Sequence, residues 1–181
     1  CQTPKFVAAE SNKKGGKGKR GKAATNFAIQ LLEKQKVRFS YGVSEKQFYN
    51  YVKKALVVKK GAPTEKLSES LERRLDNVVY RLGLANSRAL ARQMVAHGHF
   101  VVKGKRVTVP SYNTSVGDVI SIREGSRSKA LFQNLDTRLK NYTSPNWLSF
   151  DIAKGEAVVK ALPNQPESYL DYNAVIEFYS R

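Results

Sequence analysis

The apolar residues of this 181-residue chain change their spacing near Gly98. Before that glycine they recur every three or four positions, and after it they gather in short runs closed by Gly or Pro. That is the pattern of an α+β fold. The helical side is clearest at Ser44 and Gln47, an S-x-x-Q capping box, followed by Phe48, Tyr51, Val52, Ala55 and Leu56 at i, i+3, i+4, i+7 and i+8. An earlier helix is expected from Thr25, its N-cap, to about Phe39, with Phe27, Leu31 and Leu32 on one side, Lys34, Lys36 and Arg38 elsewhere, and Gly42 ending it. After Gly61 and Pro63, the residues Leu67, Leu71, Leu75, Val78, Val79 and Leu82 mark one long helix closed by Gly83. Ser87 caps a short helix that buries Leu90, Met94 and Val95, and Gly98 stands where a left-handed residue past a helix end belongs.

Strands follow. Phe100 to Val102, the turn pair Lys103-Gly104, and Val107 to Val109 read as a hairpin, and Val119 to Ile122 supply another strand. Residues 124 to 146 mix a basic linker with a helix near Ala130 to Leu139. Trp147 to Phe150, Ala157 to Ala161 and Ala174 to Tyr179 are expected as further short strands. No run approaches the roughly 20 apolar residues of a membrane span or the core of a signal peptide, so a soluble chain that stays inside the cell is expected. The only cysteine, Cys1, allows no internal disulfide, and the absence of a Met at position 1 suggests that a stretch precedes it.

Charge then narrows the function. Lys and Arg number 32 against 15 Asp and Glu, a net +17, while 41% hydrophobic residues leave enough for a real core. The excess is +12 over residues 1–60, +5 over 61–127 and zero over 128–181. A polyanion should therefore meet the first two thirds, leaving the last third for packing or protein contacts. Residues 11–24 form a Lys/Gly-rich arm with nothing to anchor it. Its Gly16, Gly18 and Gly21 match a dinucleotide-binding spacing, but no strand precedes them, so that reading is set aside.

Catalysis needs a nucleophile beside a base, a metal cage or paired carboxylates, and the chain offers little of these. His97 and His99 lack further ligands for a metal. An ordinary turn or packing role and an RNA contact stay open for the pair. Arg74-Leu75-Asp76 resembles the segment that bears the catalytic aspartate of pseudouridine synthases, yet it lies within a helical repeat. A helix-surface ion pair or cap is the expected role of Asp76. The positive signal is basic residues interleaved with aromatics and amides: Lys46, Gln47, Tyr49, Asn50, Tyr51, Lys53 and Lys54, and the helix start at Ser87 with Arg88 and Arg92 one turn apart.

Three segments carry a family resemblance: Leu75 to Gly83 (LDNVVYRLG), Ser87 to His99 (SRALARQMVAHGH), and Val102-Lys103-Gly104-Lys105 with Val107. They resemble the RNA-binding module named after small-subunit ribosomal protein S-four, two helices and a small curved sheet. The flanks Glu33 to Arg38, Tyr41 to Val43, Glu45 with Gln47-Phe48, and Val175 to Arg181 resemble the bacterial-type ribosomal family itself. The resemblance implies a non-catalytic constituent of the small ribosomal subunit. In that role it binds the 5′ domain of the rRNA at a multi-helix junction, nucleates assembly, and lines the path by which mRNA enters. It also implies a C-terminal segment that packs near the neighbouring protein S-five and bears on decoding accuracy.

Position by position, the resemblance places Lys34, Lys36, Arg38, Tyr41, Gln47 and Tyr51 at the rRNA, with Arg88, Arg92, Gln93, His97, His99 and Lys103 in the module. Arg20 matches an arginine near entering mRNA, although Ala23 stands at its companion position. Lys54, Arg74, Arg81, Ser87, Lys105, Arg106 and Tyr112 complete the candidate RNA-binding set. Changing Arg88 and Arg92 together to Ala should weaken rRNA binding and leave folding intact. No cofactor is expected, and no metal. Cys1 to Phe6 resembles half of the family's four-cysteine zinc site, with Phe6 where the last ligand would be. The expected organisation is an arm over 1–24, a helical first domain over 25–70 completed by 156–181, and an inserted domain over 71–155 whose module core is about 73–123. Partners are rRNA, mRNA and protein S-five, with no membrane and no DNA; the place is a cytoplasmic or organellar ribosome. Two rivals share the module: an RNA-modifying enzyme, for which the 58 residues after residue 123 are too few, and a stress protein of stalled large subunits, which the flanks disfavour.

Overall fold

The computed structural model describes residues 25–58, 61–133, 135, 139, 142–151, 154–164 and 169–180. The arm, with Arg20, Cys1 and the zinc-like segment, lies outside the described residues.

Helix α1 (Asn26–Ser40) starts where Thr25 Oγ1 accepts from the Ala28 N–H at 3.3 Å, and α2 (Glu45–Val57) where Ser44 Oγ accepts from Gln47 N–H at the same distance. Helix α2 buries Phe48, Val52 and Ala55, as its repeat predicts. Helix α1 differs from expectation: it buries Gln30, Lys34 and Val37, while Phe27 and Leu32 stay exposed. The Lys34 ammonium tolerates burial because it meets Glu45 Oε1 at 2.7 Å and lies 5.0 Å from the Phe178 ring centroid.

The long helix expected over Leu67 to Leu82 is two helices, α3 (Pro63–Glu72) and α4 (Leu75–Arg81). Between them Arg74 is extended and bridges to Asn113. The segment 110–114 claims the backbone there: Leu75 N–H donates to Tyr112 O at 2.9 Å, Asp76 N–H to Pro110 O at 3.1 Å, and Thr114 N–H to Arg73 O at 2.9 Å. Those bonds replace the helical ones, so the apolar repeat runs through a bend.

Helix α5 (Arg88–Ala96) is capped by Ser87, whose Oγ accepts from Leu90 N–H at 3.2 Å, and it ends at Gly98 with φ +70°, a left-handed conformation that favours glycine. Next come β1 (Phe100–Val102), β2 (Lys105–Val107), β3 (Val119–Ile122), the short α6 (Glu124–Arg127), a 3-10 turn at Ala130–Phe132, β4 (Leu148–Asp151) and β5 (Glu156–Val159). The five strands form one antiparallel sheet in the order β2-β1-β3-β5-β4. Of the helix expected over 130–139, the described part is the 3-10 turn and the helical residues Leu135 and Leu139.

The strand expected at Ala174 to Tyr179 is instead α7 (Tyr172–Tyr179). Asp171 Oδ1 accepts from the N–H groups of Asn173 and Ala174 at 2.9 and 3.1 Å, an N-cap that overrides the β-leaning run behind it. Helix α7 packs on α1, with Phe27 against Phe178 at 5.6 Å and Gln30 Nε2 donating to Glu177 at 2.8 Å.

Two apolar cores result. One joins Val37, Phe48, Val52, Leu67 and Leu71 to Leu170 and Val175; the other packs α4 and α5 on the sheet, from Leu75 to Val159. Full burial of each large aliphatic side chain stabilises by about 2 kcal/mol. Strand β5 belongs to the second core, and Leu170, Tyr172 and Val175 are the later residues that return to the first.

Candidate nucleic-acid interface

Two buried carboxylates stand at the bend between α3 and α4. Glu72 is 1% exposed and Asp76 4%. A carboxylate removed from water must be paired or heavily hydrogen-bonded, and both are. Glu72 accepts from Tyr41 OH at 2.5 Å, from Asn77 Nδ2 at 2.9 Å, and from Arg81 Nη2 and Nε at 2.7 and 2.9 Å. Burial, then the charge of Glu72, pushes the Tyr41 phenol far above its ordinary range, so it stays a donor. Asp76 takes the Arg74 guanidinium in a fork at 2.7 and 3.0 Å and that of Arg92 at 2.9 and 3.1 Å. Burial alone would lower the Arg74 guanidinium, but its bonds to Asp76 outweigh that and raise it.

Asp76 thus makes the ion pairs expected of it, but buried and not on a helix surface, which corrects that part of the expectation. It sits in the first turn of α4 and ties α4 to α5. Arg92 goes further and donates to the carbonyls of Tyr41, at 3.2 Å, and Gly42, so one side chain spans the two cores. Arg88 donates to Asn77 Oδ1 at 2.8 Å and lies between the rings of Tyr41 and Tyr80, 4.8 and 4.6 Å from their centroids. Arg88 and Arg92 therefore make contacts within the fold as well as being half-exposed, which the sequence reading did not foresee. Glu72 and Asn77 were missed, since nothing in the apolar spacing marks a helical glutamate as a buried hub.

The other candidates divide by burial. Lys34, Tyr41, Arg74 and His99 are buried. His99 Nδ1 shares a hydrogen bond with Ser126 Oγ at 2.9 Å, and burial, then the charges of Lys129, His97, Arg123 and Arg106, lowers its pKa. Arg38, Tyr51, Arg81, Arg88, Arg92 and Tyr112 are half-buried. Tyr51 OH accepts from Arg74 Nη1 at 3.0 Å, and Gln47, Asn50, Tyr51, Lys54 and Ser111 line a groove of about 260 Å³. Lys36, Gln47, Lys54, Ser87, Gln93, His97, Lys103, Lys105 and Arg106 are exposed. Lys36 meets Glu33 at 2.7 Å, Lys103 meets Asp118 at 2.7 Å, and Arg106 Nη2 donates to His97 O at 3.2 Å. The hydrogen bond and charge of Asp118 raise the Lys103 ammonium above its ordinary range. Beside this surface, burial would raise the Glu45 carboxyl, but hydrogen bonds from Lys34 and Tyr179 and the charges of Lys34 and Arg38 hold it below its ordinary range.

Such a surface offers fixed cations, amides and aromatic faces, the groups that meet phosphates, 2′-hydroxyls and unstacked bases. Among the described residues no group of three or more His, Cys, Asp or Glu could hold a metal ion, and no helix is long and apolar enough to cross a membrane.

Comparison with known proteins gives this surface a lineage. The family model described as the S4 domain matches residues 73–120, and that described as the ribosomal protein S4/S9 N-terminal domain matches residues 5–72. Small ribosomal subunit protein uS4 of Halothermothrix orenii is 43% identical over 100% of this chain and 88% of its own length. The protein uS4A of Alkaliphilus oremlandii is 44% identical with the same coverage, and uS4 of Desulfitobacterium hafniense is 46% identical over 90% of this chain and 78% of its own length. A likeness that runs through the helical core, the bend at Arg74 and the sheet beyond it places the chain in the bacterial-type uS4 family of small ribosomal subunit proteins.

Proposed function

We propose that this chain is the uS4 component of a small ribosomal subunit, a structural protein that binds rRNA and performs no catalysis. The observation that carries this reading is the likeness to uS4 proteins along the whole chain. The net charge of +17, concentrated before residue 128, supports it, because neutralising phosphates is the main source of affinity for structured RNA.

In finer detail, the protein binds the 5′ domain of the rRNA and nucleates assembly of the subunit. It lies along the path by which mRNA enters, with Arg20 of the arm 1–24 toward the mRNA, and its last residues meet protein S-five and bear on decoding accuracy. The first domain, from residue 25 to about 70, is completed by residues returning after β5, and the module is inserted between. The exposed Lys36, Gln47, Lys54, Ser87, Gln93, His97, Lys103, Lys105 and Arg106 touch RNA directly, joined by the accessible parts of Arg38, Tyr51, Arg81, Arg88, Arg92 and Tyr112. Lys34, Tyr41, Arg74 and His99 hold that surface in shape from within. Their burial and their hydrogen bonds support this division.

The test is competition binding of labelled small-subunit 5′-domain rRNA across a salt series, with tRNA and duplex RNA as competitors. Binding that survives excess competitor is the expected result. Equal loss to every competitor would reduce the protein to a non-specific RNA chaperone.

A further inference from the structure

Phe39, in the last turn of α1, is 68% exposed, more than any other aromatic residue among those described. Its ring is not a loose apolar side chain. The Arg38 guanidinium lies 4.3 Å from the ring centroid and is itself held by Gln35 Oε1 at 2.8 Å and Glu45 Oε2 at 3.4 Å. One face of the ring is thus backed by a pinned, planar cation, and a flat partner meets a plate already in place.

Phe39 forms the rim of a cleft of about 470 Å³ between the end of α1 and the start of α5. The inner wall is Tyr80 with Arg88 stacked on it, and Arg92, anchored on the carbonyl of Gly42. Gly42 has φ +60°, the left-handed conformation that favours glycine, and that turn presents its carbonyl to Arg92 Nη1. Among the described residues no carboxylate lines this cleft, and Asp76, which pairs with Arg92, is buried. A cleft of similar size beside α3, about 460 Å³, is lined by Glu65, Glu69 and Asp171 with Lys66, so carboxylates outnumber cations there. The first is suited to a flat ring that carries an anion, and the positive end of α5 adds to that preference.

We propose that this cleft holds one unpaired nucleotide of the bound RNA, its base laid on Phe39 and its phosphate toward Arg92 and the start of α5. The proposal rests on the reading of the chain as an rRNA-binding protein and adds to it a stacking contact that phosphate neutralisation does not supply. Stacking on an aromatic ring is insensitive to salt, whereas each phosphate contact is not. The two are separable by experiment.

Full-length wild type, Phe39→Leu and Phe39→Trp are titrated with small-subunit 5′-domain rRNA across a salt series. Phe39 is exposed, so both variants keep the fold. The Leu variant should bind about tenfold more weakly at every salt concentration, with the slope of affinity against salt unchanged. The Trp variant should bind like wild type, and its indole fluorescence should fall as RNA is added, against a constant background from Trp147, which is 7% exposed. Equal affinity for wild type and the Leu variant would overturn the pocket, as would an unresponsive indole or a loss that comes with a shallower salt slope. If wild type itself shows no preference for the rRNA over tRNA and duplex RNA, the ribosomal reading fails instead of the pocket.

Discussion

Glu72 accepts both prongs of the Arg81 guanidinium, at 2.7 and 2.9 Å, across the bend that separates α3 from α4. The carboxylate also holds Tyr41 and Asn77, so three elements depend on one buried charge. Removing one partner from such a site leaves the others desolvated and unpaired, and Glu72→Gln should cost about 3 kcal/mol of stability in urea unfolding. A loss below about 1 kcal/mol would mean that water reaches the pair.

Replacing Arg88 and Arg92 together by Ala removes a ring-stacked cation and the link from Asp76 to the carbonyls of Tyr41 and Gly42. The double variant should lose about 2 to 4 kcal/mol of stability as well as rRNA affinity. Thermal unfolding beside the binding assay separates the two effects. An unchanged melting temperature would show that these side chains serve only the surface.

His99 should make stability depend on pH. Its pKa is lowered in the folded chain, by burial and by the charges of Lys129, His97, Arg123 and Arg106, so its contribution is complete above the ordinary histidine range of about 6.5. As pH falls through that range the unfolded chain takes the proton first, and stability drops until the folded imidazole also protonates. Urea unfolding at pH 7.5 and 5.5 should show this fall in wild type and a smaller one in His99→Gln. The same fall in both would place its source elsewhere.

Exposed cations should be countable through salt. Each of Lys54→Ala, Lys105→Ala and Arg106→Ala, if it removes one phosphate contact, lowers the slope of log affinity against log salt by about 0.7 to 0.9. Lys34→Ala should instead lower stability with little change of slope, because its ammonium is buried against Glu45, Phe178 and Tyr179. A slope lost at Lys34 and kept at Lys105 would invert the proposed division between surface and interior.

Local chemistry was readable in the chain and long-range chemistry was not. Thr25, Ser44 and Ser87 announced helix starts because a hydroxyl capping a nearby N–H is a local event, and Gly98 announced an end for the same reason. The bend at Arg74 escaped because the leucines and valines keep their period through it, while its cause lies near Asn113, some forty residues on. Helix α7 escaped because Val175, Ile176, Phe178 and Tyr179 read as strand until Asp171 and the surface of α1 are supplied. For the candidate surface, charge showed which part of the chain was basic. It could not show that Arg92 points at a buried aspartate, since that depends on two helices meeting, nor that Arg74, two residues from Asp76, turns its guanidinium inward with it.

The packing of α7 on α1 also bears on the order in which the chain can fold. A chain made from its first residue onward has every strand of the sheet once Val159 is added, so the unit around Phe100 and Ile120 can close. The core around Val37 and Phe48 is by then long synthesised and still lacks Leu170, Tyr172 and Val175. If folding follows synthesis, the middle of the molecule should close before its beginning, with part of the apolar face of the opening helices bare until α7 arrives.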